Sequence, residues 1–303
     1  MAALSIVIVT YNSSHVVLGC LDSIAYLAET EVIVFDNASV DDTVDAVRRK
    51  FPMVTVIEGT SNFGFAVGVN RAVEVSTAPT IMLLNPDAVI AEASVRELSS
   101  TLAARPNAVV APMITHPHGL VKVASAGHFP TPSAMLSHYS GLSRLPFVRG
   151  HYLLLADDSR ERLTEVQWVS GACLMTSRST WEAVGGLDER WFMYAEDIDF
   201  CWRVVQSGGV VLLDSGSTAT HLVGESDGAR SGVVNSMWVE NLYEFYALRM
   251  SSNRMSTITW GCVVSAGLFV RSIVFLVQRR LVSAREFRAH SRAVVRHMRV
   301  VDG

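Results

Sequence analysis

One stretch constrains this chain more than any other: Ile81-Met82-Leu83-Leu84 runs straight into Asn85-Pro86-Asp87. Consecutive apolar residues stopped by a proline read as a buried strand of a parallel sheet. Both faces of such a strand are covered, and Pro86 ends the ladder while holding Asn85 extended. Asp87 then stands at the strand's carboxyl edge, where open α/β sheets bind their ligands. A hard carboxylate oxygen there suits Mg²⁺ or Mn²⁺ shared with phosphates. Asn-Pro-Asp is also ordinary turn chemistry, so its meaning depends on the rest of the chain.

The segments before it repeat one pattern. A β-branched strand over 4–10 meets the polar loop Tyr11-Asn12-Ser13-Ser14 and a helix over 16–27. A second strand, 31–35, ends at Asp36-Asn37-Ala38-Ser39. Asp41-Asp42-Thr43 then caps a helix to Lys50, and a third strand spans 54–58. Two β-α-β units in succession require right-handed crossovers and a doubly wound sheet, with the polar strand ends on one edge. Asn62-Phe63-Gly64-Phe65-Ala66 opens a helix to Val75 that carries Asn70 and Arg71. Gly64 there serves either a turn or a close backbone approach to a ligand. A helix over 93–104 and a strand over 108–111 complete the regular alternation.

Residues 112–165 are rich in Pro, Ser, Gly and His and only weakly periodic, which predicts a lid or a substrate-binding insertion. His116, His118, His128 and His138 lack ligand spacing and read as exposed loop residues. Order returns with a predicted strand over 167–175, in which Gly171 marks a bulge or bare backbone packed against something. Ser179 is placed to cap a short helix that Gly185-Gly186 ends. From Glu196 the chain reads as a helix, with Ile198, Trp202 and Val205 on one face and Asp199 paired to Arg203. Glu196 and Asp197 in its first turn suit the helix dipole. They also follow the aromatic segment Trp191-Phe192-Met193-Tyr194, which could deliver a carboxylate to a partly dry cleft as a general base. Strands over 210–213 and 218–222 bring His221 to a strand end, from which it could complete a metal sphere begun by Asp87.

The 303 residues carry a net charge of −4, a balance that excludes general nucleic-acid binding. Cys20, Cys173, Cys201 and Cys262 are far apart with no Cys-x-x-Cys pair, which argues against both a disulfide framework and a zinc site. A reducing cytosol fits, and the N-terminus enters its first strand without a signal-peptide pattern. Half the residues are hydrophobic, so membrane contact is worth seeking. Residues 237–250 have helical spacing, with Trp238, Leu242, Phe245 and Leu248 along one side. The apolar run 258–270 is interrupted by Arg271 and is short of the roughly 20 residues a spanning helix needs. It reads as lying in the membrane surface or forming a helical hairpin. The arginines that follow, opposed only by Glu286 and Asp302, suit an anionic cytoplasmic leaflet or an oligomer contact.

Val9-Thr10-Tyr11-Asn12, Asp36, Asn62-Phe63-Gly64, Asn85-Pro86-Asp87, the 168–172 segment, Glu196-Asp197-x-Asp199 and His221 occur in an order that resembles the inverting nucleotide-sugar glycosyltransferases of the A-type fold. Within them the chain is similar to bacterial rhamnosyltransferases acting on polyprenyl-diphosphate-linked N-acetylglucosamine. The resemblance implies an α/β fold: a doubly wound, Rossmann-like mixed sheet over 1–236, with 1–111 as the nucleotide-sugar half and 112–236 as the acceptor half. A helical, membrane-associating extension would follow over 237–303. It implies a donor site of Thr10, Tyr11, Asn12, Asp36, Asn62, Gly64, Asn70, Arg71, Asn85, Asp87 and Gly171, with Asp36 on the pyrimidine. Asp87 and His221 would hold Mn²⁺ or Mg²⁺, and Asn85 leaves that site one charge short of the family's Asp-x-Asp. Asp197 would be the base, supported by Glu196 and Asp199, with Trp168, Trp191, Tyr194 and Glu196 at the acceptor.

The implied donor is dTDP-L-rhamnose, with UDP-galactofuranose or UDP-N-acetylglucosamine as alternatives. The implied acceptor is a lipid-linked glycan at the inner face of the cell membrane, and a homo-oligomer is possible. A non-catalytic nucleotide-sugar-binding scaffold would not need Asp87, Asp197 and His221 together. A nucleotidyltransferase would carry a glycine-rich basic loop where Tyr11-Asn12-Ser13-Ser14 stands.

Overall fold

The computed structural model describes residues 2–116, 125–145, 147–153, 162–221 and 235–301. The chain forms two compact units, Met1–Ala126 with Ala156–Ser231, and Gly127–Leu155 with Gly232–Gly303.

The strands are β1 (Leu4–Thr10), β2 (Thr30–Asp36), β3 (Thr55–Glu58), β4 (Thr80–Leu84), β5 (Ala88–Ile90), β6 (Ala108–Thr115), β7 (Ala126–Gly127), β8 (Leu163–Val166), β9 (Trp168–Val169), β10 (Cys173–Ser177) and β11 (Val210–His221). The main sheet has the order β3-β2-β1-β4-β10-β6-β11-β5, with β8 also on β11. The first four neighbours run parallel, and β10 is antiparallel to both β4 and β6. Every residue of β1 is buried, as expected for a central strand covered by helices. The helices α1 (Val17–Ile24), α2 (Thr43–Lys50), α3 (Phe65–Val75) and α4 (Glu92–Ala104) carry the crossovers. Val17, Cys20, Leu21 and Ile24 of α1 join Ile6, Ile8, Met82 and Leu84 in the core.

Three elements differ from the pattern read in the sequence. The predicted strand over 167–175 is broken into β9 and β10, because the turn between them sends its backbone polar groups elsewhere. Ala172 C=O accepts from Asn85 N–H at 2.9 Å, and Gly171 N–H goes to a side chain of a later helix. The two predicted strands at 210–213 and 218–222 are one strand, β11, with a bulge between Asp214 and Thr218. Buried Asp214 holds the bulge by accepting from Gly216 N–H at 2.9 Å and from the Ser217 hydroxyl at 3.1 Å. Ser177, not Ser179, caps the helix that follows β10.

In the second unit, α5 (Pro132–Ser140) packs with α8 (Met237–Phe245), α9 (Arg254–Val277) and α10 (Leu281–Val301); α6 (Arg178–Val184) and α7 (Glu196–Gln206) belong to the first. The boundary therefore differs from a cut at 236/237, since 127–155 joins the C-terminal helices. The ties are specific: Trp260 Nε1 donates to Pro130 C=O, and Arg271 Nη2 donates to His138 C=O at 3.2 Å. Arg271 also lies over the Tyr139 ring, 5.0 Å from its centroid. With its guanidinium occupied in this way, Arg271 does not break the apolar run, and α9 continues for 24 residues. His128 and His138 are part-buried rather than exposed; burial and the Arg271 charge push His138 down to about 3. His118 and the remainder of the expected insertion at 117–124 and 154–161 lie outside the described residues.

Candidate active site

The ends of β1 and β2 form the first wall. Thr10 donates to Asp36 Oδ1 at 2.7 Å, while the Ser39 hydroxyl and amide donate to the same carboxylate at 2.6 and 2.7 Å. Asp36 is thus buried beneath its own loop and shapes the pocket through Ser39. Asn12 takes a left-handed backbone, φ 50°, and clasps that loop: its N–H donates to Ser39 Oγ at 2.8 Å and its Oδ1 accepts from Val40 N–H at 2.9 Å. Tyr11 is exposed beside it. Asn37 was not anticipated from the sequence. It bridges β2 to the next loop, donating to Gly64 C=O at 3.1 Å and accepting from Phe63 N–H at 3.0 Å. The polar run at the β2 end was the signal available for it.

Asn62 Oδ1 accepts from Gly64 N–H at 3.0 Å, and Arg71 stacks on Phe63, 4.2 Å from the ring centroid. Asn70 does not face this pocket. Its amide brackets the turn after α6, donating to Leu187 C=O at 2.9 Å and accepting from Leu187 N–H at 3.0 Å. That is a structural clamp, so the donor-binding role expected for Asn70 is corrected.

The second wall is the candidate metal centre. Antiparallel pairing sets His221 opposite Ala88, which brings the imidazole beside Asp87. His221 Nε2 lies 2.9 Å from Asp87 Oδ1 and 3.3 Å from Asn85 Nδ2. A carboxylate oxygen and an imidazole nitrogen thus converge on one point, a donor set that fits Mn²⁺ or Mg²⁺ when phosphate oxygens and water fill the other positions. Among the described residues no group of three His, Cys, Asp or Glu side chains is placed to hold a metal. Asp87 and His221 are therefore the candidate ligands among the described residues.

The third wall holds the candidate base. Tyr194 and Ala195 both adopt left-handed backbone, φ 70° and 74°, immediately before α7, a strained entry of the kind found at functional sites. Asp197 Oδ2 accepts from Gly171 N–H at 3.0 Å and Oδ1 from Ile198 N–H at 2.8 Å. Glu196 is only 6% exposed, and its Oε2 has no hydrogen-bond partner among the described residues. Burial, then the neighbouring Asp197 charge, raises Glu196 well above the usual carboxylate range. Burial also raises Asp197, against the two amides that stabilise its anion. Both acids are thus raised by burial, and only Asp197 has backbone amides that stabilise its anion.

Asp199 sits apart from this pair, ion-paired to Arg203 at 2.8 Å, and Arg203 Nη1 donates to Val184 C=O, tying α7 to α6. Trp191 is 1% exposed and Trp168 is buried, so both are packing residues, which corrects their expected contact with an acceptor. Tyr194 is 40% exposed, with Phe192 and Met193 exposed beside it; those two neighbours are the surface the aromatic run was signalling.

The three walls are mechanically joined. Ala172 bonds Asn85, and Gly171 bonds Asp197. Phe65 N–H donates to Phe192 C=O at 2.8 Å. Gly64, at φ 88°, passes so close that a Cβ would lie 2.3 Å from Phe192 O. The loop before α3 is therefore a strut for the segment that leads into Glu196 and Asp197.

The mixed sheet, parallel on one side of β10 and ending in a polar carboxyl edge, has the A-type glycosyltransferase fold, which solved structures share. A mannosyltransferase from Pyrobaculum calidifontis in complex with GDP-Man and Mn²⁺ aligns with a TM-score of 0.60 at 16% identity, over 98% of this chain and 86% of that one. GalNAc-T7 with UDP, GalNAc and Mn²⁺ aligns with a TM-score of 0.61 at 14% identity, over 82% of this chain; the match spans 48% of that longer chain. The chain belongs to glycosyl transferase family 2, whose profile matches residues 5–158, and it is a glycosyltransferase. It is 27% identical to the N-acetylglucosaminyl-diphospho-decaprenol L-rhamnosyltransferase of Mycobacterium tuberculosis, over 91% of this chain and 96% of that protein. It is also 29% identical to the low-salt glycan biosynthesis hexosyltransferase Agl10 of Haloferax volcanii, over 66% of this chain and 61% of that one.

Proposed function

We propose that the protein transfers L-rhamnose, with inversion, from dTDP-L-rhamnose to a hydroxyl of a lipid-linked glycan. The observation that carries sugar and acceptor is the likeness to the mycobacterial rhamnosyltransferase along nearly the whole of both chains. In this reading the loops after β1 and β2 receive the nucleotide, and Asp87 Oδ1 and His221 Nε2 hold a divalent cation. When bound, that cation supplies positive charge to the diphosphate leaving group. The presence of Mn²⁺ with the two fold neighbours supports it.

Asp197 is the base. Its anion, preserved by the amides of Gly171 and Ile198, takes the proton of the acceptor hydroxyl as that oxygen attacks the anomeric carbon. The bond to the diphosphate oxygen breaks on the opposite face, and dTDP leaves. One displacement inverts the centre, so a β-linked donor gives an α-L-rhamnoside. Glu196 keeps its own proton throughout and prevents a second charge from facing Asp197. Tyr194, Phe192 and Met193 present the surface on which the acceptor sugar rests.

The test offers the purified protein dTDP-L-rhamnose, UDP-sugars and GDP-sugars with Mn²⁺ or Mg²⁺. It reads thermal stabilisation, then mass gain on polyprenyl-diphosphate-linked N-acetylglucosamine. Metal-dependent stabilisation by dTDP-L-rhamnose and addition of one deoxyhexose are expected. Preference for UDP-galactofuranose or UDP-N-acetylglucosamine would overturn the donor assignment.

A further inference from the structure

In the second unit α9 and α10 form a hairpin whose two helices differ in chemistry. Along α9, Cys262, Ala266, Phe269, Ile273, Leu276 and Val277 recur at helical spacing and are exposed. Along α10, Arg285, Arg288, Arg292, Arg296 and Arg299 recur three or four apart, which sets them on one side of that helix. The two stripes share a face. Cys262, Ala266 and Phe269 line one shallow groove together with Val295, Met298 and Arg299, and the Arg288 guanidinium lies 6.0 Å from the centroid of Phe269. From Arg254 to Arg299 there are nine arginines and one acid, Glu286, in a chain whose net charge is −4.

The turn between the helices points the same way. Arg280 N–H donates to Phe275 C=O at 2.9 Å and Arg279 N–H to Leu276 C=O at 3.0 Å, the bonding of a Schellman cap. The left-handed position of that cap, φ 59°, is filled by Arg279 and not by the usual glycine, a conformation that side chains with a Cβ disfavour. The turn thus keeps its last carbonyls paired and places a charge where stability alone would favour glycine. Val277 and Val282 flank it, 78% and 71% exposed.

We infer that this face of the α9–α10 hairpin lies flat on an anionic lipid bilayer. The α9 stripe sinks among the acyl chains, and the α10 stripe and turn arginines meet lipid phosphates. An apolar row beside a row of five arginines, with Glu286 the one acid between Arg254 and Arg299, matches a surface that is apolar within and anionic at its rim. A spanning role for α9 fits less well despite its length and apolar composition. Its other side is already used: Trp260, Val264, Leu268 and Ser272 are buried in the unit, and Arg271 is committed to His138 and Tyr139.

Flotation of the full-length protein with vesicles tests the inference. The vesicles would be pure phosphatidylcholine, or phosphatidylcholine with about one third phosphatidylglycerol. Binding to the anionic vesicles only, weakened by added salt, is expected. The double variant Ile273→Asp/Val277→Asp should lower partition by about tenfold or more. Arg292→Ser/Arg296→Ser should remove the preference for phosphatidylglycerol. These side chains are exposed, and unchanged circular dichroism and donor hydrolysis would show the fold intact. Failure of the wild type to float overturns the inference, as does equal flotation of both variants. So does release by detergent alone, which would mean a spanning helix. Loss of self-association with flotation unchanged would assign the face to a second copy. None of these readouts depends on which sugar is transferred.

Discussion

Asp87 and Asp197 are acids of the same unit, yet what surrounds them differs in kind. Asp87 faces the imidazole of a distant strand, 2.9 Å away, the pair proposed to share a cation. Asp197 faces two backbone amides, and burial raises the carboxyl of its neighbour Glu196 well above the usual range. In the proposed mechanism the first arrangement would collect a cation, while the second would keep a lone pair for a proton. Residue type does not separate the two roles; the partner does.

The largest test of this contrast is Asp197→Asn. The substitution keeps both size and most packing but removes the base, and transfer should fall by about a thousandfold with donor stabilisation unchanged. Retention of transfer within tenfold, with the fold intact by circular dichroism, would remove Asp197 from its role. Asp87→Asn or His221→Ala should act in the other way. Each should weaken Mn²⁺ by about a hundredfold and abolish donor stabilisation by metal, with the loss partly recovered at high Mn²⁺; no recovery would argue against a shared cation.

Gly64→Ala should be smaller and mixed. A Cβ 2.3 Å from Phe192 O must displace the aromatic segment, so kcat should fall about tenfold while a strained site loses about 1–3 kcal/mol in denaturant unfolding. An unchanged kcat would show that the loop does not set the base. The smallest effect is expected of Glu196→Gln. In the folded protein Glu196 holds its proton above the ordinary carboxyl pKa of 4.5, whereas the unfolded chain releases it. Native stability therefore falls as pH rises above that value. The glutamine variant should melt higher than wild type at pH 7 and equally at pH 4, with transfer changed only a few-fold. Equal melting at pH 7 would show that Glu196 is ionised in the folded protein.

Much of the first unit was legible before any coordinates. The apolar run into Asn85-Pro86-Asp87, the polar strand ends and the acids opening α7 are local patterns, and local patterns report faces and boundaries. The misjudged residues are those whose role depends on a distant partner. Asn70 looked like a pocket amide until Leu187 was found to satisfy it. Trp191 and Trp168 looked like a sugar platform, but aromatic composition does not distinguish a platform from a core. The histidines at 128 and 138 looked loose because nothing nearby in sequence announces their distant partners, the His151 segment for the one and Arg271 of α9 for the other.

By itself the sequence determined the doubly wound class of the sheet, the edge on which polar residues gather and the apolar run followed by arginines near the C-terminus. Periodicity and turn chemistry act within a few residues, and they suffice for that. The tertiary structure alone decided that His221 reaches Asp87, that the Gly171 amide holds Asp197 and that the α9 and α10 stripes share one face. Each of these joins residues far apart in the chain. Strand register, a broken strand and helix rotation place them together, and none of those is encoded in local spacing.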